Sequence, residues 1–474
     1  MLLASPLGGI KMNYDTMPAP EGPLAETKYE LEKGVVGAVL AAIDTTDALA
    51  LDAILGPLHP ADIADLLEQI SVAERRAFLT LWSVNIDGEV LSELNDSLQE
   101  EVIQFLPNAV LSEAVRELET DDVVDLVEDL EAPQQELILD ALNRADRVAV
   151  EQALSYPEFS AGRLMQRELV VAPQDWNVGQ TIDFLRAEDD LPEQFYHVIL
   201  VDLAYHPVGY VTLGKLLGAP RRQRLKDLTE DSFRTIPVNQ PEEDVAYAFN
   251  QYHLISAPVV DEDERLVGVI TIDDAMIVLD DEAEEDMLRL AGVGGDETLS
   301  DRTLETVRQR FPWLAVNLVT AILASLVIAQ FEEILGQIVA LAVLMPIVAS
   351  MGGNAGTQSL TVAVRALATK DLTGSNLLRV VRREALAGLI NGAIFAVVMG
   401  IIGIVWFGTP LLGIVIAIAM VINMVVAALA GILIPIALDK MGIDPALASG
   451  AFVTTVTDIV GFFAFLGLAA AVLI

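Results

Sequence analysis

The chain of 474 residues contains no cysteine, which excludes disulfides and thiolate metal sites. It has only four histidines, His59, His197, His206 and His253, so no imidazole is available to a site in the C-terminal part. Basic residues are scarce: 28 Lys and Arg stand against 69 Asp and Glu, a net charge of −41. An acidic excess of that size repels nucleic acid and anionic lipid and attracts cations. The first residues lack the basic start and long apolar core of a signal peptide, and Met12 and Met17 are available as alternative starts.

The acid is unevenly placed. Residues 312–474 hold six of the 28 basic and seven of the 69 acidic residues, which leaves 22 and 62 in residues 1–311. The N-terminal part is long enough for two ordinary domains. The C-terminal part is close to neutral and holds five apolar segments, at about 313–331, 335–364, 385–407, 411–438 and 446–474. About 20 apolar residues cross the hydrocarbon of a bilayer. Arg365, Lys370, Arg379, Arg382 and Arg383 surround the second connection and Lys440 lies in the fourth, whereas the first carries only Glu332 and Glu333. Arg302, Arg308 and Arg310 precede the first span. The positive-inside rule then makes the N-terminus and the acidic part cytoplasmic and puts the C-terminus outside.

Asp458 is the one charged residue from Pro445 to Ile474. A carboxylate near the middle of a spanning helix costs roughly 2.5–3.5 kcal/mol on insertion scales, so it is expected to face water, an ion or a partner. Thr454, Thr455 and Thr457 beside it are further oxygen sources. In the second span, Pro346 and the run Met351 to Gln358 are expected to interrupt the helix, which membranes tolerate where backbone is packed in protein or lines a wet cavity. Asn354 and Gln358 favour the cavity, although small residues also let helices pack closely. Asn317, Asn391 and Asn423 are read as interhelical hydrogen-bonding residues.

Residues 27–155 read as helices with short polar joints. His59-Pro-Ala-Asp-Ile-Ala-Asp65 resembles Glu119-Thr-Asp-Asp-Val-Val-Asp125 about 60 residues later, as in stacked helix pairs. Asp62 and Asp65, like Asp122 and Asp125, fall at expected helix starts, where capping and the helix dipole favour a carboxylate. From 160 to 280 the pattern changes. Val208-Gly-Tyr-Val-Thr-Leu213 and Val267-Gly-Val-Ile-Thr-Ile272 repeat at a spacing of 59, each after an extended stretch (Val171-Ala-Pro173, Ile236-Pro237) and an amphipathic helix pattern. This tandem α/β pattern resembles a pair of CBS domains, modules that commonly bind nucleotides. Asp280-Asp-Glu-Ala-Glu-Glu-Asp286 follows, and on a helix Glu282, Glu285 and Asp286 share one face. Their mutual repulsion would be relieved by divalent cations.

Together these pieces resemble the MgtE magnesium transporter family. The resemblance rests on Pro346 with Gly352-Gly-Asn-Ala-Gly-Thr-Gln358, on Arg365-Ala-Leu-Ala, on Asp444-Pro-Ala-Leu-Ala-Ser, and on Val453-Thr-Thr-Val-Thr-Asp458. It implies a multidomain chain: a disordered tail over 1–40, an all-α superhelical N domain over 41–155, and CBS modules over 156–218 and 227–279. An acidic connecting (plug) helix over 280–311 and a five-helix transmembrane domain over 312–474 complete it. It further implies a homodimer in the plasma (inner) membrane that is not an enzyme. In the family the last-span aspartate binds hydrated Mg2+, a role that falls on Asp458. Gly352, Gly353, Asn354, Gln358, Gly450 and Thr454 are expected to line the pore. The Mg2+-sensing role falls on Asp122, Asp125, Asp274, Glu282, Glu285 and Asp286. ATP at the CBS pair is left open.

Two departures stand out. Ala451 occupies a place where the family often has proline, and His253 one where some members are acidic. Transport of Co2+ or Mn2+ by the same architecture is the alternative. A membrane metalloprotease would need an HExxH-type motif, and no histidine follows residue 253. A membrane sensor that transports nothing would leave Asp458 and the second-span run without a role.

Overall fold

The computed structural model describes residues 31, 33–128, 130, 132–188, 191–192, 194–230, 233–295, 297, 303–448 and 450–473. Most of the expected tail over 1–40 lies outside the described residues. Its last part does not behave as a tail, because a helix runs from Lys33 to Thr45. Val39 and Ala42 are buried in that helix, which packs on the helices Ala48–Leu55 and Val72–Trp82. Their burial holds the segment in place despite Gly34 and Gly37.

The chain separates into two compact units. The first comprises the residues before Glu119 together with 129–142, and its described residues are all helix and connection. Its helices are short and start on side-chain caps. Ser71 and Glu74 close a capping box, as do His59 and Asp62, whose carboxylate accepts from the His59 N–H at 3.3 Å. Asp62 is thus the capping residue that its place at an expected helix start implies. Leu51, Leu55, Leu66, Leu67, Phe78 and Leu91 form the core, and the buried Arg75 is neutralised by Glu101 at 3.2 Å.

The second unit comprises Glu119–Glu128 and the chain from Asn143 onward. It contains two three-stranded sheets. In the first, β1 (Val171–Pro173) runs parallel to β2 (His197–Val201), and β2 antiparallel to β3 (Pro207–Thr212). In the second, β4 (Ile236–Pro237), β5 (Ser256–Val260) and β6 (Leu266–Thr271) repeat that order. The 59-residue period is kept in the register: His197 opposes Thr212 as Ser256 opposes Thr271, and each central strand bulges at the same place, Leu200/Val201 and Val259/Val260. His197 Nδ1 and Ser256 Oγ, the first residues of the two central strands, are hydrogen-bonded to each other. The second sheet feeds directly into a 20-residue helix, Ile272–Ala291.

That helix changes the expected boundaries. The second module and the acidic segment are not separated at residue 280, because one helix carries both. Nor is 280–311 a single helix. Gly292 at φ 77° ends the first piece, its N–H donating to the Arg289 carbonyl at 3.0 Å while Val293 donates back to Leu288 at 3.0 Å. This is the left-handed C-terminal cap that glycine allows. A new helix, Thr303–Ala329, then begins ahead of the first span.

Five helices are long and apolar enough to cross a membrane: Thr306–Ala329 of that helix, Val339–Ala368, Leu377–Phe407, Pro410–Lys440 and Gly450–Leu473. All five expected spans are present. The second, third and fourth run past their apolar segments into charged turns, so Arg365, Arg379, Arg382, Arg383, Glu384 and Lys440 are helical. The fourth helix is the most enclosed, with 56% of its apolar window buried against 6% for the first. Leu412, Ile416, Ala419, Met420 and Met424 make it the core strut of the bundle.

The second span is not interrupted. Its helix continues through Pro346 and through Met351 to Gln358. A Cβ on Gly356 would lie 2.5 Å from Val453 Cγ1, and one on Gly352 would overlap the Asn423 side chain. The glycines therefore admit the fourth and fifth spans to close range, the small-residue packing of membrane interfaces. Asn423 is wholly buried and donates Nδ2 to the Val348 carbonyl at 2.8 Å. It is the interhelical hydrogen bond expected of it.

Candidate cation sites

In the membrane part, Asp458 is half-buried on the last span, and among the described residues no basic side chain pairs with it. The start of its helix meets the glycine run of the second span. A Cβ on Gly353 would lie 3.3 Å from Thr454 Cγ2, and one on Gly450 would lie 3.8 Å from Thr357 Oγ1. Gly353, Gly450 and Thr454 are thus brought together one turn or two from Asp458. Asn354 and Gln358 lie on the exposed face of the second span. Gly352 is different: Asn423 fills the space in front of it, so it is a packing position.

The threonines also divide. Thr454 and Thr455 donate to the Ala451 carbonyl at 3.1 and 2.5 Å and remain partly exposed. Thr457 is fully buried, donates to the Thr454 carbonyl at 2.9 Å and faces Gly356. It is unable to offer oxygen to an ion beside Asp458. A further carboxylate, Glu384, lies within the third spanning helix rather than before it. Its side chain is 14% exposed and accepts from Ser359 Oγ at 3.2 Å.

Ahead of the five spans, the helix Ile272–Ala291 collects carboxylates along its length. At its start, Asp274 caps the helix by accepting from Thr271 Oγ1 at 2.6 Å. Burial nevertheless raises its pKa to about 6, with the Asp273 charge adding to the effect. The short helix Thr120–Glu128 faces this end. Asp121 is held well above the usual carboxylate range by burial, then by the charges of Asp274, Asp122 and Glu119. Glu119 is pushed up to about 7 by burial and by Glu168, although it accepts from Gln166 Nε2 at 2.5 Å.

A second cluster surrounds the acidic turns of the same helix. Glu242 is pushed up to about 7 by burial and by the charges of Glu282, Glu128, Asp281 and Asp125. Glu282 is raised by burial, then by Glu243 and Asp286. Asp286 is raised to about 6 by burial, then by Asp444 and Glu243. Arg289 is the cation in this group, and it pairs with both Glu285 and Asp444. Asp444 lies in the connection between the fourth and fifth spans, so this pairing ties the acidic helix to the base of the helix that carries Asp458.

Of the expected sensor residues, Asp274 belongs to the first cluster and Glu282, Glu285 and Asp286 to the second. Asp122 contributes to the first and Asp125 to the second. Glu119, Asp121, Glu168, Glu242, Glu243 and Asp444 were not anticipated as site residues. They come from four separate stretches; Glu119 and Asp121 lie in the helical repeat and Asp444 in a membrane-part motif, and neither pattern marks them as cation-binding. His253 adopts φ 53° as the left-handed cap of the helix Glu242–Tyr252, a conformation histidine tolerates better than most residues.

All these donors are oxygen, the set suited to a hard cation. Among the described residues, no three His, Asp or Glu groups converge closely enough to hold a bare ion. The raised carboxyls on facing elements are groups whose charged form a nearby cation would stabilise.

Comparison with known proteins identifies the family. A divalent cation transporter family model (MgtE) matches residues 345–468, a model of the MgtE intracellular N domain matches 58–159, and a CBS domain model matches 225–281. The magnesium transporter MgtE of Thermus thermophilus is 31% identical over 445 residues, 93% of this chain and 98% of its own. The chain belongs to the MgtE magnesium transporter family. The Bacillus subtilis MgtE is 30% identical over 88% of this chain and 93% of its own length. A crystal structure of the cytosolic domain of the Mg2+ channel MgtE in complex with ATP is 31% identical, covers 51% of this chain and 99% of that one, and gives a TM-score of 0.47. The CBS model covers the second module of this MgtE family member, and the first is recognised by its identical strand order and register.

Proposed function

We propose that the protein conducts Mg2+ selectively through the membrane as a homodimer and that Mg2+ bound by its acidic cytoplasmic part closes the path. The observation that carries this reading is the concentration of acid along Ile272–Ala291, where Arg289 is the one basic residue. Carboxyls at both ends of that helix have raised pKa values, and its Arg289 pairs with Asp444 just ahead of the last span. Hydrated Mg2+ binds through one or two carboxylates and keeps several waters, which matches oxygen groups too far apart for a bare ion. With Mg2+ bound the acidic surfaces are held together; without it, repulsion favours their separation. The ion thereby shifts the population by binding one state better than the other.

In the membrane, a twofold axis through the last span would bring two Asp458 carboxylates to one hydrated ion. Gly353, Asn354, Gln358, Gly450 and Thr454 would contact its waters. Orientation follows the basic connections, with the soluble part cytoplasmic and the C-terminus outside the plasma membrane.

Proteoliposome flux with competing ions tests the reading. Mg2+ uptake is expected to be lost in Asp458→Ala with folding retained. Co2+ or Mn2+ uptake indifferent to Mg2+ would favour the alternative transporter. Mg2+ is also expected to protect residues 280–300 from protease, and unchanged cleavage would remove the sensor.

ATP binding to the CBS pair is proposed on a separate observation. A cavity of about 460 Å3 is lined by Phe233, Arg234, Ile236, Tyr252 and Leu254, with the Arg234 guanidinium 3.8 Å from the Tyr252 ring centre. Aromatic and guanidinium groups together suit a base and a phosphate. ATP titration of the full chain against Arg234→Ala tests it, and equal affinity in both would place nucleotide elsewhere.

A further inference from the structure

We infer that the start of the third spanning helix is a binding site for the headgroup of an anionic phospholipid, formed by Arg379, Arg382 and Arg383. The three lie at i, i+3 and i+4 of the helix Leu377–Phe407 and none is buried, so they share one accessible face. Their position is electrostatically unusual. The N-terminal end of a helix carries partial positive charge, which disfavours cations and favours anions. The first turn contains no acidic residue, and Asn376, at the cap position, makes no side-chain cap. Its side chain is occupied by the preceding loop, accepting from the Thr373 N–H at 2.9 Å and donating to the Asp371 carbonyl at 2.7 Å.

The chain has 69 carboxylates, yet these arginines go almost unanswered. Among the described residues, Arg379 and Arg382 have no ion pair, and Arg383 has only Glu384 at 3.9 Å, with its own side chain 76% exposed. Lys370, seven residues before the helix, is answered: it pairs with Asp244 of the soluble part and lies 4.6 Å over the Tyr247 ring. The acidic domain thus neutralises the connection but leaves the helix face beyond it free.

The surroundings select a lipid over a free anion. One to two turns deeper on the same helix, Leu386, Leu389 and Ile390 are 56%, 47% and 52% exposed, an apolar surface for an acyl chain directly below the guanidinium groups. Arg–phosphate pairs are charge-assisted and often bidentate. At physiological ionic strength exposed charges separated by more than about 8 Å are largely screened, which limits the reach of the acidic surface.

Native mass spectrometry of the full chain, reconstituted in phosphatidylcholine vesicles with or without phosphatidylglycerol, tests the site. Each arginine near an anionic headgroup is worth roughly fivefold in retention. The triple variant R379Q/R382Q/R383Q is expected to retain phosphatidylglycerol at least tenfold less than the unmodified chain. The charge-preserving R379K/R382K/R383K and the remote R265Q are expected to stay within a few-fold of it. If the triple glutamine variant does not fold, each single Arg→Gln change is expected to lose several-fold. Equal retention in the glutamine and unmodified chains would overturn the assignment. So would displacement by inorganic phosphate at equal concentration, which would mark a free-anion site, or protection of the arginines by a second copy of the chain in pure phosphatidylcholine.

Discussion

Glu242→Gln removes a charge that the cation-free protein tolerates poorly. Burial, followed by Glu282, Glu128, Asp281 and Asp125, lifts Glu242 from 4.5 to about 7. In full, that lift corresponds to about 3.4 kcal/mol against the ionised form. Screening at a partly exposed site trims it to about 1–2 kcal/mol. The pKa is raised in the folded state, so the associated stability is fully present below about 4.5 and is lost as pH rises through about 7. The glutamine variant should therefore gain its whole advantage above about pH 7, part of it between 4.5 and 7, and none below. Pulse proteolysis of the full chain in EDTA, across a urea series at about pH 8 and about pH 6, reads the difference. The variant is expected to resist unfolding better by about 1–2 kcal/mol at the higher pH and by less at the lower. Added Mg2+ should shrink the gap, because the ion already offsets the charge in the parent chain. A variant equal to or weaker than the parent in EDTA at the higher pH would refute the placement of Glu242 in an acidic cluster.

Gly356→Val is expected to disrupt the bundle by several kcal/mol, since even a Cβ there lies 2.5 Å from Val453. Gly374→Ala, with open space around it, should leave detergent thermostability unchanged. Arg289→Gln leaves Glu285 and Asp444 facing one another without their shared cation, and should raise the Mg2+ concentration needed to protect residues 280–300 from protease. Asn423→Ala removes the bond to the Val348 carbonyl and opens a gap against Gly352 and Gly461; a loss of about 1–3 kcal/mol in bundle stability is expected by thermal unfolding in detergent.

The spans were legible because a run of apolar residues has few other uses, and Asp458 because a lone charge in such a run is costly. The two modules were legible from a spacing of 59 that survives in the strand register. Other features are encoded less locally. A glycine run permits either a broken helix or a close crossing, and only Asn423 and Val453, about 70 and 100 residues later, decide for the crossing. The acidic clusters draw on Glu119, Asp121, Glu242 and Asp444, whose shared neighbourhood depends on tertiary packing. An acidic chain offers too many carboxylates for composition to single these out. The connecting helix ends at Gly292, followed by Gly294 and Gly295, a break that the expectation of one helix over 280–311 passed over.

The central claim is that Mg2+ on the soluble side closes a path that runs past Asp458. Mg2+ flux through oriented proteoliposomes, followed as Mg2+ is raised on the side of the soluble domains, tests it most directly. The account predicts that flux falls as Mg2+ rises there and that the fall is blunted in E282Q/E285Q/D286N. Flux that stays constant or increases in the unmodified protein would contradict it.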